Sequence, residues 1–403
     1  MPRIYTPNRM KFGAFFAPFH NDRTNPTLGF ERDFQLIQWL DDLTYDEAWI
    51  GEHHSGAYEC IASPEVFIAI AAERTKHIRL ATGVSSLSYH HPLILADRIA
   101  QLDHHTRGRL IFGVGPGQLV ADAYMMGVDP ADLRKRMDES LDCLVRLLNG
   151  ETVTHKTDWF ELREARCQIL PYQSPTVEMA VASAISPTGA RAAGKYGIGM
   201  LSVAASSPEG FNQLASHWAI CEAKAAEYGR TVSRENWRVV TPFHIAETRE
   251  QAFEDLRFGL MDMMRYFRKF GGSAFPVAHS FEEAVNIWTG GGLGAFGVGV
   301  VGTPDDLADH INKLQDQTGG FQTFLSLAHN AADFTATKKS YELMARYVMP
   351  RFQSANKNRS ASIEWAAENA DRFMPSYIGG IQKAIQEHEA ELASNAAKAA
   401  AAE

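Results

Sequence analysis

Short apolar runs alternate with longer amphipathic stretches along most of the chain. The runs are Phe12 to Ala17, Glu47 to Gly51, Ile78 to Val84, Arg109 to Gly115, Val177 to Ala182, Ile198 to Val203, Trp237 to Ala246 and Phe321 to Ala328. Each is dominated by apolar residues, as strands buried on both faces are. Helical patterns lie between them. Phe30, Phe34, Ile37 and Leu40 recur at helical spacing within Phe30 to Leu43. Proline opens Pro64 to Thr75 and Pro92 to Thr106, where a first helical turn tolerates it. Gly150 closes a helix that starts at Leu133. Further helices are expected over 186–197, 208–229 and near 338–349. Eight such strands with intervening helices predict an α/β fold. A closed (β/α)8 TIM barrel fits that count better than an open doubly wound sheet.

Two regions leave the alternation, 151–172 and 250–303. The second holds GGSAFP and GGGLGAFGVGVVGTP together with Met261, Met263, Met264, Tyr266, Phe267, Phe270 and Trp288. Glycine-rich punctuation marks loops. The segment is expected to be a partly helical lid, about 250–303, inserted between strands seven and eight. Gly271–Gly272 and Gly290–Gly292 would be its hinges. A packing excursion without a gating role is the alternative. The barrel with this lid is expected to occupy residues 1–360. The alanine-rich remainder, 361–403, reads as a helical extension, frayed or packed at a subunit interface.

The 403 residues are 45% hydrophobic and 22% charged, ordinary for a globular protein. Net charge is −9, and no polybasic run occurs. Nucleic acid and anionic membranes are therefore not expected partners. No apolar stretch reaches the ~18 residues of a membrane span, and the start lacks a signal-like core. Cys60, Cys143, Cys167 and Cys221 form no CxxC pair. Free thiols and a cytoplasmic location are the corresponding expectation.

In a parallel barrel the chemistry sits at the C-terminal strand ends. His53 and His54 follow strand two. Ser85, Ser86, Tyr89, His90 and His91 follow strand three, and Gly113, Gly115, Gly117 and Gln118 end strand four. Ser183, Ala184, Ser186 and Thr188 follow strand five, Ser202 ends strand six, and His244 lies in strand seven. Adjacent residues of an extended chain face opposite ways, so His53 and His54 do not easily share one ion. No HExxH or GxSxG occurs, and no metal site is expected. The strand-five turn, ASAISPTGARAAG, offers free N–H groups at a helix N-terminus, where a phosphate can dock. Ser186 and Thr188 can add hydroxyl donors there, or Ser186 can be a plain helix cap. Gly113 to Gly117 would let the backbone approach a flat ligand, or simply serve a tight turn.

MKFGAFF, AWIGEHHSGAY, IRLATGVSSLSYHHPLILADRIAQLDHHTRGRLIFGVGPGQ, ASAISPTGARAAGKYG and VGTPDDLADHI occur in this order. Together they resemble the bacterial-luciferase-like flavin monooxygenases, and the long central block resembles the limonene monooxygenase-like members. The resemblance implies a usually dimeric (β/α)8 barrel that takes reduced FMN from a separate flavin reductase. It implies reaction of that flavin with molecular oxygen to a flavin peroxide that oxygenates a small apolar organic substrate such as a terpene or cyclic ketone. It makes His53 the catalytic histidine, with His54 turned the other way and Glu52 orienting a ring. It places a non-proline cis peptide at Ser85–Ser86 and the FMN phosphate at Ser186 and its neighbours. The flavin-binding set it implies is Ser85, Ser86, Tyr89, His91, Gly115, Gln118, Ser183, Ala184, Ser186 and Thr188. The family's luciferases carry a cysteine and a phosphate-binding arginine after strand four. Here Gly115 and Pro116 stand there, so light emission is not expected and the phosphate needs another cation, with Arg191 one candidate. The alternatives are a deazaflavin-dependent hydride-transfer enzyme on the same barrel, or a flavin-binding protein without turnover.

Overall fold

A computed structural model of the chain describes residues 3–17, 19–203, 208–271, 276–290 and 299–401. The chain divides into two units, Met1–Gln353 and Ser354–Glu403. In the first, β1 (Lys11–Phe16) leads through α1 (Pro26–Asp42) to β2 (Glu47–Ile50). Then come α2 (Pro64–Arg74), β3 (Arg79–Thr82) and the two-residue β4 (Ser85–Ser86). After α3 (Pro92–His105) and β5 (Leu110–Gly115) come α4 (Val120–Met125) and α5 (Leu133–Leu148). A hairpin of β6 (Val153–Lys156) and β7 (Glu161–Ala165) precedes β8 (Glu178–Ser183), α6 (Thr188–Tyr196), β9 (Gly199–Ser202) and α7 (Pro208–Glu227). β10 (Trp237–Thr241) and β11 (Phe243–Ile245) open the long excursion of α8 (Arg249–Asp255), α9 (Leu260–Gly271), α10 (Phe281–Gly290) and β12 (Val300–Gly302). The unit ends with α11 (Pro304–Thr318), β13 (Thr323–Ala328), α12 (Phe334–Leu343) and α13 (Met349–Phe352).

Strands β1, β2, β3, β5, β8, β9, β10 and β13 pair in parallel in cyclic order, and the β3–β5 and β1–β13 ladders close the barrel. Local chemistry sets the helix ends. Asn25 accepts from the N–H groups of Thr27 and Leu28 ahead of Pro26. Thr303 and Asp306 form a reciprocal capping box for α11, which ends at left-handed Gly319.

The apolar side chains sort into two layers. Phe15, Trp49, Ala81, Ile111, Ala180, Leu201, Val240 and Leu325, one from each barrel strand, fill the interior. Their chain neighbours Phe16, Ile50, Leu80, Phe112, Val181, Met200, Val239 and Phe324 belong to the layer beneath the helices. This is the period-2 alternation of a strand buried on both faces. The inner layer does not stop at the rim. It continues into Leu260, Met263, Met264, Ala284, Val285 and Trp288 of the excursion.

At the opposite, N-terminal end of the strands a buried ionic group plugs the barrel. Arg238 is fully buried and donates to Glu47 at 2.9 and 3.1 Å and to Glu178 at 2.5 Å. Trp49 Nε1 donates to Glu47 at 2.9 Å, and Arg79 pairs with Glu178.

Several expectations need correction. The seventh apolar run is two strands, because Pro242 lacks an N–H and β11 turns away from the barrel to pair with β12. The non-proline cis peptide lies at Gly83–Val84, not Ser85–Ser86. Ser85 and Ser86 instead resume the sheet by pairing with Val114 and Gly115 of β5. The region 151–172 contains an antiparallel hairpin. The helix expected near 338–349 starts at Phe334 and gives way to a π-helical turn, Met344–Val348. Of the suggested hinges, Gly272, Gly291 and Gly292 lie outside the described residues.

The second unit consists of α14 (Lys357–Glu368) and α15 (Ala370–Ala400), neither with a buried residue. Among the described residues no helix is long and apolar enough to cross a membrane.

Candidate active site

The loop after β2 carries Glu52, His53 and His54 at the C-terminal rim of the barrel. The two histidines diverge. His53 Nδ1 lies 3.3 Å from Asp122 of α4, and its Nε2 lies 3.5 Å from Glu59. His54 Nε2 donates to Glu52 at 3.0 Å, and His90 Nε2 donates to the same Glu52 oxygen at 2.9 Å. The other Glu52 oxygen accepts from the Ser86 N–H at 3.0 Å. One buried carboxylate thus ties the loop after β2 to the segment after β3.

These contacts set the charges. Burial alone would raise the Glu52 carboxyl, but donation from His54, His90 and Ser86 holds it at about 2. Asp122 behaves alike: burial is outweighed by hydrogen bonds from His53, Ser55 and the His54 backbone, and its pKa falls. The Ser55 hydroxyl donates to it at 2.5 Å. For His53, burial favours the neutral ring, but Glu59 and Asp122 outweigh it and raise the pKa above its ordinary 6.5. The two carboxylates thus favour the charged form of this half-buried ring.

The segment after β3 contributes three polar atoms with no hydrogen-bond partner among the described residues: Ser85 Oγ, Tyr89 Oη and His91 Nδ1. Tyr89 and His91 line a cavity of 240 Å³ with Ser88, Val128, Arg136 and Trp159. This is smaller than the roughly 300–1,000 Å³ of a whole-ligand site, so it suits part of a ligand. The Arg136 guanidinium stacks on Trp159 at 5.1 Å.

Elsewhere the expected residues sort unevenly. A side chain at Gly115 would start 2.6 Å from Val84 Cγ2, so its bareness serves strand packing. Gln118 is exposed. Ser183 is buried, with its hydroxyl 3.3 Å from His217 Nδ1. Ala184 is exposed, while Ser186 and Thr188 are half-buried and bonded to each other at 3.3 Å. No side chain caps the start of α6. Gly189 lets this helix approach β8, since a side chain there would start 2.1 Å from Ala182 O. Arg191 is exposed on α6. Ser202 is occupied by the Trp237 indole at 2.9 Å, and His244 by Asp255 of the excursion at 3.0 Å. Among the described residues no group of three His, Cys, Asp or Glu is arranged to hold a metal.

The sequence reading missed Glu59, Asp122 and Arg136. Glu59 stood beside the stretch already singled out, and its spacing to His53 was the available signal. Nothing local marks Asp122 or Arg136.

The model of the family described as luciferase-like monooxygenase matches residues 10–320. Limonene 1,2-monooxygenase of Rhodococcus erythropolis is 45% identical over 368 residues, covering 88% of this chain and 92% of that protein. 4-Hydroxyprotoasukamycin monooxygenase of Streptomyces nodosus subsp. asukaensis is 45% identical over 365 residues, covering 90% and 97%. Among solved structures, the oxygenating constituent of 3,6-diketocamphane monooxygenase from Pseudomonas putida, in complex with FMN, superposes with a TM-score of 0.69. It is 25% identical, over 85% of this chain and 98% of that one. A closed parallel barrel, a histidine pair splayed at its rim and these similarities agree: the chain belongs to the luciferase-like family of flavin monooxygenases.

Proposed function

We propose that the protein is the oxygenase of a two-component system. It takes reduced FMN from a separate flavin reductase and uses molecular oxygen to oxygenate a small apolar substrate, a terpene, cyclic ketone or similar molecule. The observation that carries this reading is an imidazole held between two carboxylates at the rim of a barrel whose interior runs into an apolar cover. Similarity to a limonene monooxygenase and to an FMN-bound diketocamphane enzyme supports the cofactor and the substrate class. A homodimer, which rests on the family resemblance, and a cytoplasmic location, which rests on the cysteine usage, belong to the same reading.

The residues present fit FMN. The unpartnered Ser85 Oγ, Tyr89 Oη and His91 Nδ1 are hydrogen-bonding atoms left for a ligand. The uncapped first turn of α6, with Ser186 and Thr188, is the phosphate end. Arg136, rather than the outward Arg191, is the nearer cation to the Tyr89–His91 cavity. When bound, reduced FMN supplies the electrons that oxygen activation requires. The chain's own part is to hold and move protons and exclude water. Asp122 fixes the His53 ring through Nδ1, leaving Nε2 to give a proton to an oxygen atom in the mouth. The excursion keeps water from the reacting groups.

The direct test supplies flavin reductase, FMN and ¹⁸O₂ to the protein with a panel of terpenes and cyclic ketones. One ¹⁸O per product supports the reading. Turnover only with an oxidised deazaflavin and no oxygen uptake, or flavin binding without any turnover, would sink it.

Two further outcomes are expected. Ser186→Asp sets a carboxylate against the phosphate at the start of α6. Affinity for FMN should fall far more than affinity for riboflavin, which lacks the phosphate. Equal losses by fluorescence titration would place the phosphate elsewhere. Replacing both Met263 and Met264 by serine should wet the cover of the barrel. The fraction of oxygen released as hydrogen peroxide should then rise several-fold while FMN binding persists. Unchanged coupling of oxygen use to product would show that the excursion is packing, not a lid.

A further inference from the structure

Glu59 is a carboxylate that the mechanism above does not use. Its position follows from how the loop after β2 folds back. Gly56 and Ala57 adopt left-handed backbone (φ 83° and 66°), the Tyr58 N–H donates to Gly56 O, and the His53 N–H donates to Ile61 O at 3.0 Å. This closes the loop and returns Glu59 to the side of His53 opposite Asp122. Its Oε2 also lies 3.8 Å from the point where a side chain at Gly51 would begin. Gly51 is two residues beyond the inward-facing Trp49, so this carboxyl group hangs at the mouth of the barrel.

The three carboxylates around the histidines differ in how they are held. Glu52 and Asp122 each accept several hydrogen bonds. Glu59 accepts none among the described residues. His53 Nε2 is its ion-pair neighbour among the described residues, at a separation longer than a hydrogen bond. Its side chain remains 14% accessible, which leaves it a route to water.

We propose that Glu59 is a positioning residue that shares a proton with His53 and resupplies it. When His53 Nε2 gives its proton to an oxygen in the mouth, the Glu59 carboxylate takes a proton from water and passes it to Nε2, returning to its charged form. One proton leaves and one enters, and no electrons move. The proposal rests on the role assigned to His53 under the proposed function. The balance of charge agrees with it. Burial raises the Glu59 carboxyl, the neighbouring His53 opposes this, and Asp122 adds to the rise. Glu59 is therefore the carboxyl of the three poised to carry a proton. The other titratable groups facing the pair are Asp122 from α4, Glu52 on the same loop, Cys60 beside it and the Tyr266 hydroxyl on α9.

The test uses the full-length protein in two ways. The His53 ring is titrated by NMR without flavin in wild type, Glu59→Gln, Glu59→Asp and Asp122→Asn. The pH dependence of kcat is measured with reductase, reduced FMN and a substrate. Removing the Glu59 charge takes away support for the imidazolium, so the His53 midpoint in Glu59→Gln should fall by about 1–3 units. The basic limb of kcat, where the protonated ring is lost, should move to lower pH by the same amount. Glu59→Asp should restore part of both shifts. A His53 midpoint that moves in Asp122→Asn but not in Glu59→Gln would overturn the proposal. So would a shifted midpoint with an unshifted kcat profile. A wild-type protein that oxygenates nothing would instead fail the reading of function, with the ring titration still reporting on the pair.

Discussion

His53→Ala is expected to lower turnover by about 10²-fold or more, the usual scale for a lost general acid or base. Binding of reduced FMN should change little, because the groups assigned to the flavin lie on the segment after β3 and at the start of α6. The comparison that isolates the role is with its neighbour. His54 Nε2 is committed to Glu52, so His54→Ala should disturb loop order more than the chemical step. Asp122→Asn should fall between the two. It keeps the size of the side chain but removes the charge that holds the ring. Single-turnover rates at saturating reduced flavin measure all three. Wild-type rates in His53→Ala would refute the assignment.

Arg238→Met should be the most destabilising single change at the floor of the barrel. Removing one partner of a buried ion pair typically costs about 3–5 kcal/mol, because the other charge is left without compensation. Here Glu47 would be left fully buried with, among the described residues, the Trp49 indole as its one remaining side-chain donor. Urea denaturation gives the loss directly. Adding Glu47→Gln to Arg238→Met should recover part of it, since the stranded charge is then gone. The same network predicts a pH dependence. Burial would raise the Glu178 carboxyl, but Arg238 and Arg79 hold it at about 2, below its ordinary 4.5. A depressed folded-state pKa adds stability that is complete above 4.5 and lost as pH falls toward 2. Arg238→Met should therefore flatten the acid side of the stability curve. An acid limb unchanged by the mutation would place the dependence in other carboxylates.

The barrel was legible because strands buried on both faces are apolar at nearly every position, and the inner and outer sets from Phe15 and Phe16 to Leu325 and Phe324 are what those runs become. The hairpin at Val153–Lys156 and Glu161–Ala165 was not, because its strands are short and largely polar, and Val153, Leu162 and Ala165 are too few buried positions to display a period. Pro242 was visible in its run, yet an apolar stretch continuing past it concealed that the chain leaves the barrel there. At the site, the divergence of His53 and His54 followed from extended-chain geometry alone. Asp122 could not be found that way. It reaches His53 from 69 residues along the chain, and that contact exists only once β2 and β5 share a sheet. The cis peptide was displaced by two residues for a related reason. Where a strand breaks and resumes is decided by ladder pairing with β5, which a motif does not display.

The two apolar layers share no side chain. A change of bulk inside the barrel, at Ala81, Ala180 or Leu327, is therefore felt first within the inner layer, which includes side chains of α9 and α10, and less directly by the ring of helices outside. Close-packed interiors transmit strain to what they touch, and here that is the rest of the inner layer, the excursion included. Selection on what fits the chamber and selection on how the helices pack around the barrel then act on different side chains. A lineage can reshape the chamber step by step without repacking the outer layer, so each step draws on the stability reserve only through the inner one.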